Sequence, residues 1–403
     1  MVQRRNVTMQ NKTVVYLLAL AAFLIGTIEY IITGIIQMVA HDLHITTSTA
    51  GLLVTSLALS AAIGAPIVIA LTINMDRRKI LTWTLIIFIL SNFITSISHS
   101  FEMVMITRIL QGISGGTAIV VAMAVATRLV EREKRGTAIG IILMGLSSSL
   151  VLGVPIGTFL SSMIGWKALF AAIGVITLIP LIVVYRRIPS MKEQEPVTLR
   201  MQLSILKDKR ILLAVAVTLF YVGGYSTLFT YLTPFLQASA NLSITEISGI
   251  LLLAGICSFL GSSLGGMAAD KKGPIFTIFS GIILQIIMLM LLAFVTGNLV
   301  VMVAVIMIWM IATWSTSPAQ QLYLVTLVPK SPDIALSVNT SFIQFGFALG
   351  SGLGGIVLSR TSILHLSWIS AGTVLLALLM TILMVAFDRI SQQKSLKVIE
   401  QGR

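Results

Sequence analysis

Residues 14–38 read VVYLLALAAFLIGTIEYIITGIIQM, 25 residues with one charge among them, Glu29. An α-helix of that length runs about 37 Å, more than the ~30 Å hydrocarbon core of a bilayer. A helix apolar on every face has no side to offer water, so the run reads as a membrane span. It is longer than a signal-peptide core and lacks a small-residue cleavage pattern, so it is read as part of the mature protein.

Working outward, eleven more such stretches follow, roughly 47–72, 80–98, 102–128, 136–160, 166–186, 211–237, 246–269, 275–296, 299–325, 334–358 and 365–387. The chain of 403 residues is 57% hydrophobic and 10% charged. Soluble domains carry about 25% charged residues, so this inventory cannot build a water-facing surface. The expected fold is an all-α membrane protein of twelve transmembrane helices. Most connections are a few residues long and leave no room for an extramembrane domain. The one cysteine, Cys257, lies in an apolar stretch, which gives neither a disulfide framework nor a Cys-based metal site.

The net charge of +13 raises a nucleic-acid role, and its distribution argues against one. With the N-terminus placed inside, the inner side carries 24 of the 27 Lys and Arg residues. They cluster at Arg77-Arg78-Lys79, at Arg128 to Arg135, through the middle loop and in the tail. Lys167 and Arg360 fall on the other side, and Arg108 lies within a span. The positive-inside rule then puts both termini in the cytoplasm of a multi-pass plasma-membrane protein. The middle loop contains Pro189 and Pro196 and divides the chain into an N-terminal six-helix bundle (1–187), a linker (188–210) and a C-terminal six-helix bundle with a short tail (211–403). Similar signals recur in the two halves. Gly51-Leu52-Leu53 in the second span answers Gly249-Ile250-Leu251 in the eighth, and a basic turn follows each (Asp76-Arg77-Arg78-Lys79; Asp270-Lys271-Lys272-Gly273). Two similar halves in one membrane mark a transporter with its site between them.

Ionisable residues inside spans are costly and are functional candidates by default. Glu29 stands ~22 Å above the inner start of the first span, and Arg108 ~9 Å below the outer start of the fourth, at the helical rise per residue. Both fall in the outer half of the core, so they can share a cavity or pair. Glu29 reads as a proton carrier or substrate contact, and Arg108 as part of the proton or conformational switch; a static ion pair is the plainer reading. A carboxyl whose surroundings alternate between wet and dry loads and releases a proton. His41, His44, His99 and His365 lie at outer loop ends and read as solvated. Candidates for lining a substrate cavity are Tyr30, Asn92, Gln111, Tyr225, Phe229, Trp314, Asn339 and Gln344, although Asn and Gln also serve as interhelical glue. Tyr221, Tyr225 and Phe229 form an i, i+4, i+8 stripe, which is more often packing than site. Trp309 and Trp314 lie too deep for an interfacial belt and offer faces to a flat ligand. In the fifth span Gly145, Gly153, Pro155 and Gly157 make a close-packed seam in which Pro155 removes one backbone hydrogen bond.

Several of these stretches resemble the major facilitator superfamily, specifically its twelve-span drug/proton antiporters, over nearly the whole chain. Arg108-Ile-Leu-Gln111-Gly112 resembles the helix 4 motif R-x-x-Q-G, whose Arg the family assigns to proton coupling. Gly153-Val-Pro155-Ile-Gly157 resembles the antiporter motif of exporters. Gly266-Met-Ala-Ala-Asp270-Lys271-Lys272-Gly273 is similar to the loop motif G-x-x-x-D-(R/K)-x-G. The resemblance implies that its acid caps a helix end and pairs with cations to hold one conformation. Gly26-Thr27-Ile28-Glu29-Tyr30, Gly165-Trp166-Lys167 and Tyr231-Leu-Thr-Pro234 resemble the branch of sugar, chloramphenicol and purine-base exporters. Three departures stand out: the turn before Asp76 lacks its opening Gly, which weakens a gating role for Asp76; Gln37 stands where the branch has Pro; and Lys167 replaces Arg, losing a bidentate contact.

The resemblance implies the superfamily's two pseudo-symmetric bundles and a monomeric, proton-coupled exporter of a drug-like solute or a purine base or nucleoside, working by alternating access without a cofactor. A proton symporter or uniporter on the same scaffold is the alternative. The missing sensor or signalling domain argues against a receptor or scaffold without transport. An enzyme lacks a Ser-His-Asp set or a metal cluster in its helices. No G-x-x-x-x-G-K-(S/T) loop is present to bind ATP.

Overall fold

The computed structural model describes residues 2–72, 74–131, 134–191, 199–295, 297–328 and 332–401, without the side chains of 2–12, 199, 332–333 and 389–401. Arg132, Lys192, Pro196, Lys330 and Arg403, and the side chains of the other terminal basic residues, lie outside that description. The described chain is helical, and twelve helices are long and apolar enough to cross a membrane.

The first six spans are α1 (Val2–Asp42), α2 (Thr47–Leu71), α3 (Arg77–Ile97), α4 (Phe101–Leu129), α5 (Arg135–Ser148) continued by α6 (Val154–Ile164), and α7 (Trp166–Arg187). The short α8 (Leu199–Ile205) lies within the middle stretch. The last six are α9 (Lys209–Phe229) with α10 (Leu232–Ala240), α11 (Ile244–Lys272), α12 (Pro274–Leu292), α13 (Leu299–Leu327), α14 (Pro332–Arg360) and α15 (Leu366–Gln401). Side-chain oxygens start many of them: Thr46, Asp76, Ser100, Asp208 and Ser243 each accept a first-turn N–H. The outer faces show Leu, Ile and Phe (Ile63, Ile67, Leu264 and Ile287 among them), as a lipid-facing surface requires.

Three local departures from straight helices have proline or loop origins. The expected span 211–237 breaks at Thr230–Tyr231, because Pro234 has no N–H for the Thr230 carbonyl and its ring crowds that group. Between α5 and α6 the chain makes a π turn, Ser149–Gly153, just before Pro155. Such single π turns recur at functional sites. The third is α8, where the middle stretch is not continuous loop.

Within the first half, α2 packs on α4, α3 on α4 and α7, and α1 on α5. Within the second half, α9 packs on α14 and α15, α11 on α13, and α12 on α13 and α15. The halves meet through α2 and α14, through α11 against α6 and the π turn, and through α1 against α10. Here the far end means the end opposite the basic turns at Arg77 and Arg186. Polar bonds stitch the halves together there: Ser48 Oγ donates to the Gly355 carbonyl (2.6 Å), Thr55 and Ser351 share a hydroxyl bond (2.7 Å), and Thr233 Oγ1 donates to the Thr33 carbonyl (2.8 Å). Toward the basic end, α5 packs on α1 and α4 of its own half.

Candidate functional site

Helix α1 carries Glu29 into the middle of the molecule and is held there by small residues. A methyl group on Gly145 would collide with the Ala19 carbonyl oxygen, and one on Gly153 with the Thr27 hydroxyl. Gly112 likewise lies against the Leu57 carbonyl and Gly157 against Ile31. The motif glycines therefore set how closely α1, α2, α4 and the π turn approach, and Pro155 follows that turn as the second residue of α6.

Glu29 and Arg108 are neighbours, but their side chains do not pair. The Arg108 guanidinium donates to main-chain carbonyls of Ile28 (2.7 Å), Glu29 (3.3 Å) and Leu53 (3.2 Å), and to Gln111 Oε1 (3.1 Å). Arg108 is fully buried, and carbonyl dipoles replace the water it has lost. Gln111 Nε2 passes the network on to Asn92 Oδ1 (3.4 Å) and Thr95 Oγ1 (3.3 Å), and Thr95 donates to Thr107 (2.7 Å). Asn92 and Gln111 therefore sit behind Arg108, inside the first half.

The Glu29 carboxylate turns the other way. It is half-buried, and its Oε1 accepts a hydrogen bond from Gln344 Nε2 of α14 at 2.9 Å. Glu29, Tyr30 and Gln344 line a small cavity with Thr33, Thr230 and Phe347. Its volume is about 10 Å³, room for about one water. Gln344 Oε1 is buried without a partner.

Tyr225 is the hub of an aromatic cluster beside this cavity. It stacks on Phe229 (centroids 4.8 Å apart) and meets Trp309 (5.5 Å), Trp314 (6.3 Å) and Phe347 (5.9 Å), and Phe347 in turn meets Tyr30 at 5.6 Å. Asn339 is buried in the second half and accepts from Thr218 Oγ1 at 2.7 Å.

At the basic end it is the acid of the poorer turn motif that caps a helix. Asp270 is exposed in the last turn of α11, with no ion-pair partner among the described residues. Gly273, at φ +87°, closes that helix and opens α12. Gly266 has nothing within reach of an added methyl group. Asp76, with the poorer motif, caps α3 and holds the start of the middle stretch. It accepts from the backbone N–H of Arg78 (2.8 Å) and Met191 (3.2 Å) and from the Ser190 hydroxyl. Partial burial pushes the Asp76 carboxyl up, but these donors and the Lys79 N–H outweigh it and hold it below its ordinary value.

Sequence reasoning missed Thr33, Thr230, Thr233 and Gln237 near the site, and Thr55 and Ser351 between the halves. One signal was available: Glu29, Thr33, Gln37 and His41 recur every four residues, one polar face of an otherwise apolar helix. Among the described residues no group of His, Cys, Asp and Glu is placed to hold a metal ion.

A family model described as Major Facilitator Superfamily matches residues 18–332. The chain is 36% identical over 375 residues to an uncharacterized MFS-type transporter of Bacillus subtilis, YbcL, covering 93% of this chain and 96% of that one. It is 28% identical to the inner membrane transport protein YdhP of Escherichia coli K12 (85% and 88% covered). It is 24% identical to a probable sugar efflux transporter of Mannheimia succiniciproducens (97% and 98% covered). In fold it is similar to a bacterial homolog of the human lysosomal transporter Spinster, solved in an inward-facing and occupied conformation (TM-score 0.74, 19% identity, 93% and 97% covered). The chain belongs to the major facilitator superfamily: it is a multi-pass membrane protein that transports a small solute.

Proposed function

We propose that this transporter exports a small organic solute across the plasma membrane in exchange for protons, with Glu29 as the exchanged carboxyl and both termini in the cytoplasm. The observation that carries this reading is the bond from Gln344 to Glu29. The acid at mid-span is tied to a neutral group of the opposite half and not to Arg108. Its protonation state therefore acts directly on a contact between the halves. When charged, the carboxylate accepts from the Gln344 amide. When protonated it must donate, and the buried, unpartnered Gln344 Oε1 is the acceptor within the same side chain. The proton moves from water to a Glu29 oxygen and leaves by the same oxygen. No covalent chemistry is needed.

The two bodies that rock are residues 1–187 and 211–403, joined by 188–210. Arg108, with Gln111 and Asn92 behind it, holds the backbone of α1 and α2 as one piece. The Gly112, Gly153, Pro155 and Gly157 seam allows α1 and α5 to move together. Tyr30 and Gln344 supply polar contacts to the solute, and Tyr225, Phe229 and Trp314 supply aromatic faces suited to a planar or amphipathic molecule of drug or purine-base type. The loop cations crowd the end that the positive-inside rule makes cytoplasmic, and a relative's name, probable sugar efflux transporter, supports the outward direction.

The test is efflux from proteoliposomes driven by an imposed pH gradient. Glu29→Gln keeps the shape and removes the titration, so it abolishes gradient-driven efflux while solute binding in detergent survives. Gradient-driven efflux at the wild-type rate removes Glu29 from the mechanism.

A further inference from the structure

A second cavity lies at the far end. Its volume is about 390 Å³, and its walls include Gly34, Gln37, His41 and Asp42 of α1 and Thr233 and Gln237 of α10. Its lining residues adjoin those of the Glu29 cavity along both helices. Thr33 and Thr230 line the inner cavity, and their near neighbours Gly34 and Thr233 line the outer one. Between them runs one cross-half hydrogen bond, Thr233 Oγ1 to the Thr33 carbonyl at 2.8 Å, and both threonines are buried. Each wall carries a line of polar groups beside the apolar Ile35, Met38 and Ile244. On α1 the groups are Glu29, Thr33, Gln37 and His41, one turn apart. On α10, Thr233 and Gln237 stand one turn apart opposite them. At ~1.5 Å per residue the α1 ladder spans about 18 Å, from mid-helix to its far end. The titratable groups at the mouth are His41 and Asp42, both exposed; Trp166 Nε1 donates to Asp42 at 2.9 Å and anchors it. Facing Glu29 at the other end are Tyr30, Gln344 and the Arg108 guanidinium on the backbone behind it.

We propose that this ladder is the hydrated route by which protons from the far side reach Glu29, and that the Thr233–Thr33 hydrogen bond is its gate. A cavity of this size with polar groups on both walls holds several waters, whose chains carry protons, whereas a buried hydroxyl bonded to a carbonyl leaves no space for one. The proposal rests on the reading of Glu29 as the exchanged carboxyl. The gate has a consequence that reading does not need: one threonine hydroxyl separates far-side water from the acid.

The test uses reconstituted full-length protein with Cys257→Ala and single cysteines at Gln237, in the outer cavity, or Thr230, in the inner one. A membrane-impermeant methanethiosulfonate is applied to the far side. Gln237→Cys reacts readily, and Thr230→Cys reacts at least tenfold more slowly. Adding Thr233→Val, which keeps the shape and removes the donor, raises the Thr230→Cys rate at least tenfold, and Thr233→Ser restores the barrier. In the same vesicles loaded with pyranine and acidified outside the far end, Thr233→Val collapses the pH gradient several-fold faster than wild type. Adding Glu29→Gln returns the leak to the wild-type rate. Equal labelling of Thr230→Cys with and without Thr233→Val overturns the gate, whatever Glu29 does. Faster labelling with a leak that Glu29→Gln does not reduce overturns the proton route and, with it, points to failure of the Glu29 reading itself. Monodisperse elution and intact Gln237→Cys labelling report that each variant is folded.

Discussion

The buried polar groups of the two halves are organised differently. In the first half Arg108, Gln111, Asn92, Thr95 and Thr107 form one chain, and the guanidinium spends its donors on three carbonyls and an amide. In the second half, buried polar atoms of long side chains stand without partners, Gln285 Oε1, Trp309 Nε1 and Gln320 Oε1 among them, whereas among the described residues those of the first half are the Thr158 and Ser161 hydroxyls. A bonded network in low dielectric is rigid, whereas an orphaned buried polar atom keeps the full desolvation penalty until something binds it. We read the first half as the part that handles the proton and keeps its shape. On the proposed function, the second half is the part left incomplete for the solute to complete. The comparison makes distinct predictions for each half.

The largest effect is expected at Arg108. Arg108→Lys keeps the charge but replaces a planar fork of donors with a point ammonium on a different stem, which cannot reach Ile28, Glu29, Leu53 and Gln111 together. Transport should fall at least about tenfold and the thermal unfolding midpoint in detergent should drop, because an imperfectly satisfied buried charge is destabilising by several kcal/mol. Normal transport and stability in Arg108→Lys would show that the network is packing and that the contrast between the halves has no mechanistic content. Next comes Trp314→Phe, which removes the indole N–H facing the Tyr225 hydroxyl and retains an aromatic face. Unfolding should shift by about 1–2 kcal/mol, for the smaller ring and the one hydrogen bond lost. Solute affinity, measured by calorimetry with a transported compound, should weaken severalfold.

The fold was legible because spanning helices obey a length rule and because loop cations sort by side. Both properties are local and additive along the chain. The depth match between Glu29 and Arg108 was also legible, since helical rise converts residue number to height. What height could not supply was direction. Whether the Arg108 side chain meets a carboxylate or a set of carbonyls depends on how α1 and α2 are turned, and that rotation is set by contacts such as Gly112 on Leu57 and Gly145 on Ala19. The bond from Gln344 to Glu29 joins residues 315 apart in sequence, and no periodicity encodes it. The break at Thr230–Tyr231 was visible in Pro234 but yielded to the apolar run around it. That Asp76 also holds Ser190 and Met191 follows from where the middle stretch docks, which the turn motifs do not specify.

The smallest effect is the sharpest probe of the contrast, because it compares one substitution at two sites. Gln111 and Gln285 are both buried glutamines on α4 and α12. Gln111 accepts from Arg108 and donates to Asn92 and Thr95, so Gln111→Met strands a donor of a buried cation and should destabilise by about 1–3 kcal/mol. Gln285 makes one long bond, Nε2 to the Tyr221 carbonyl at 3.4 Å, and its Oε1 is orphaned. Gln285→Met removes that long bond together with the orphan and fills nearly the same volume. Its stability should stay within about 0.5 kcal/mol of wild type or rise, as replacement of an unsatisfied polar group by an apolar one of similar shape permits. Chemical unfolding of the two variants in the same detergent measures the difference. Equal losses would mean that the second half is as fully bonded as the first, through water, and is not poised for a ligand. A stable Gln285→Met with a raised KM would place that amide among the solute's contacts, on the half of the molecule where the orphaned groups collect.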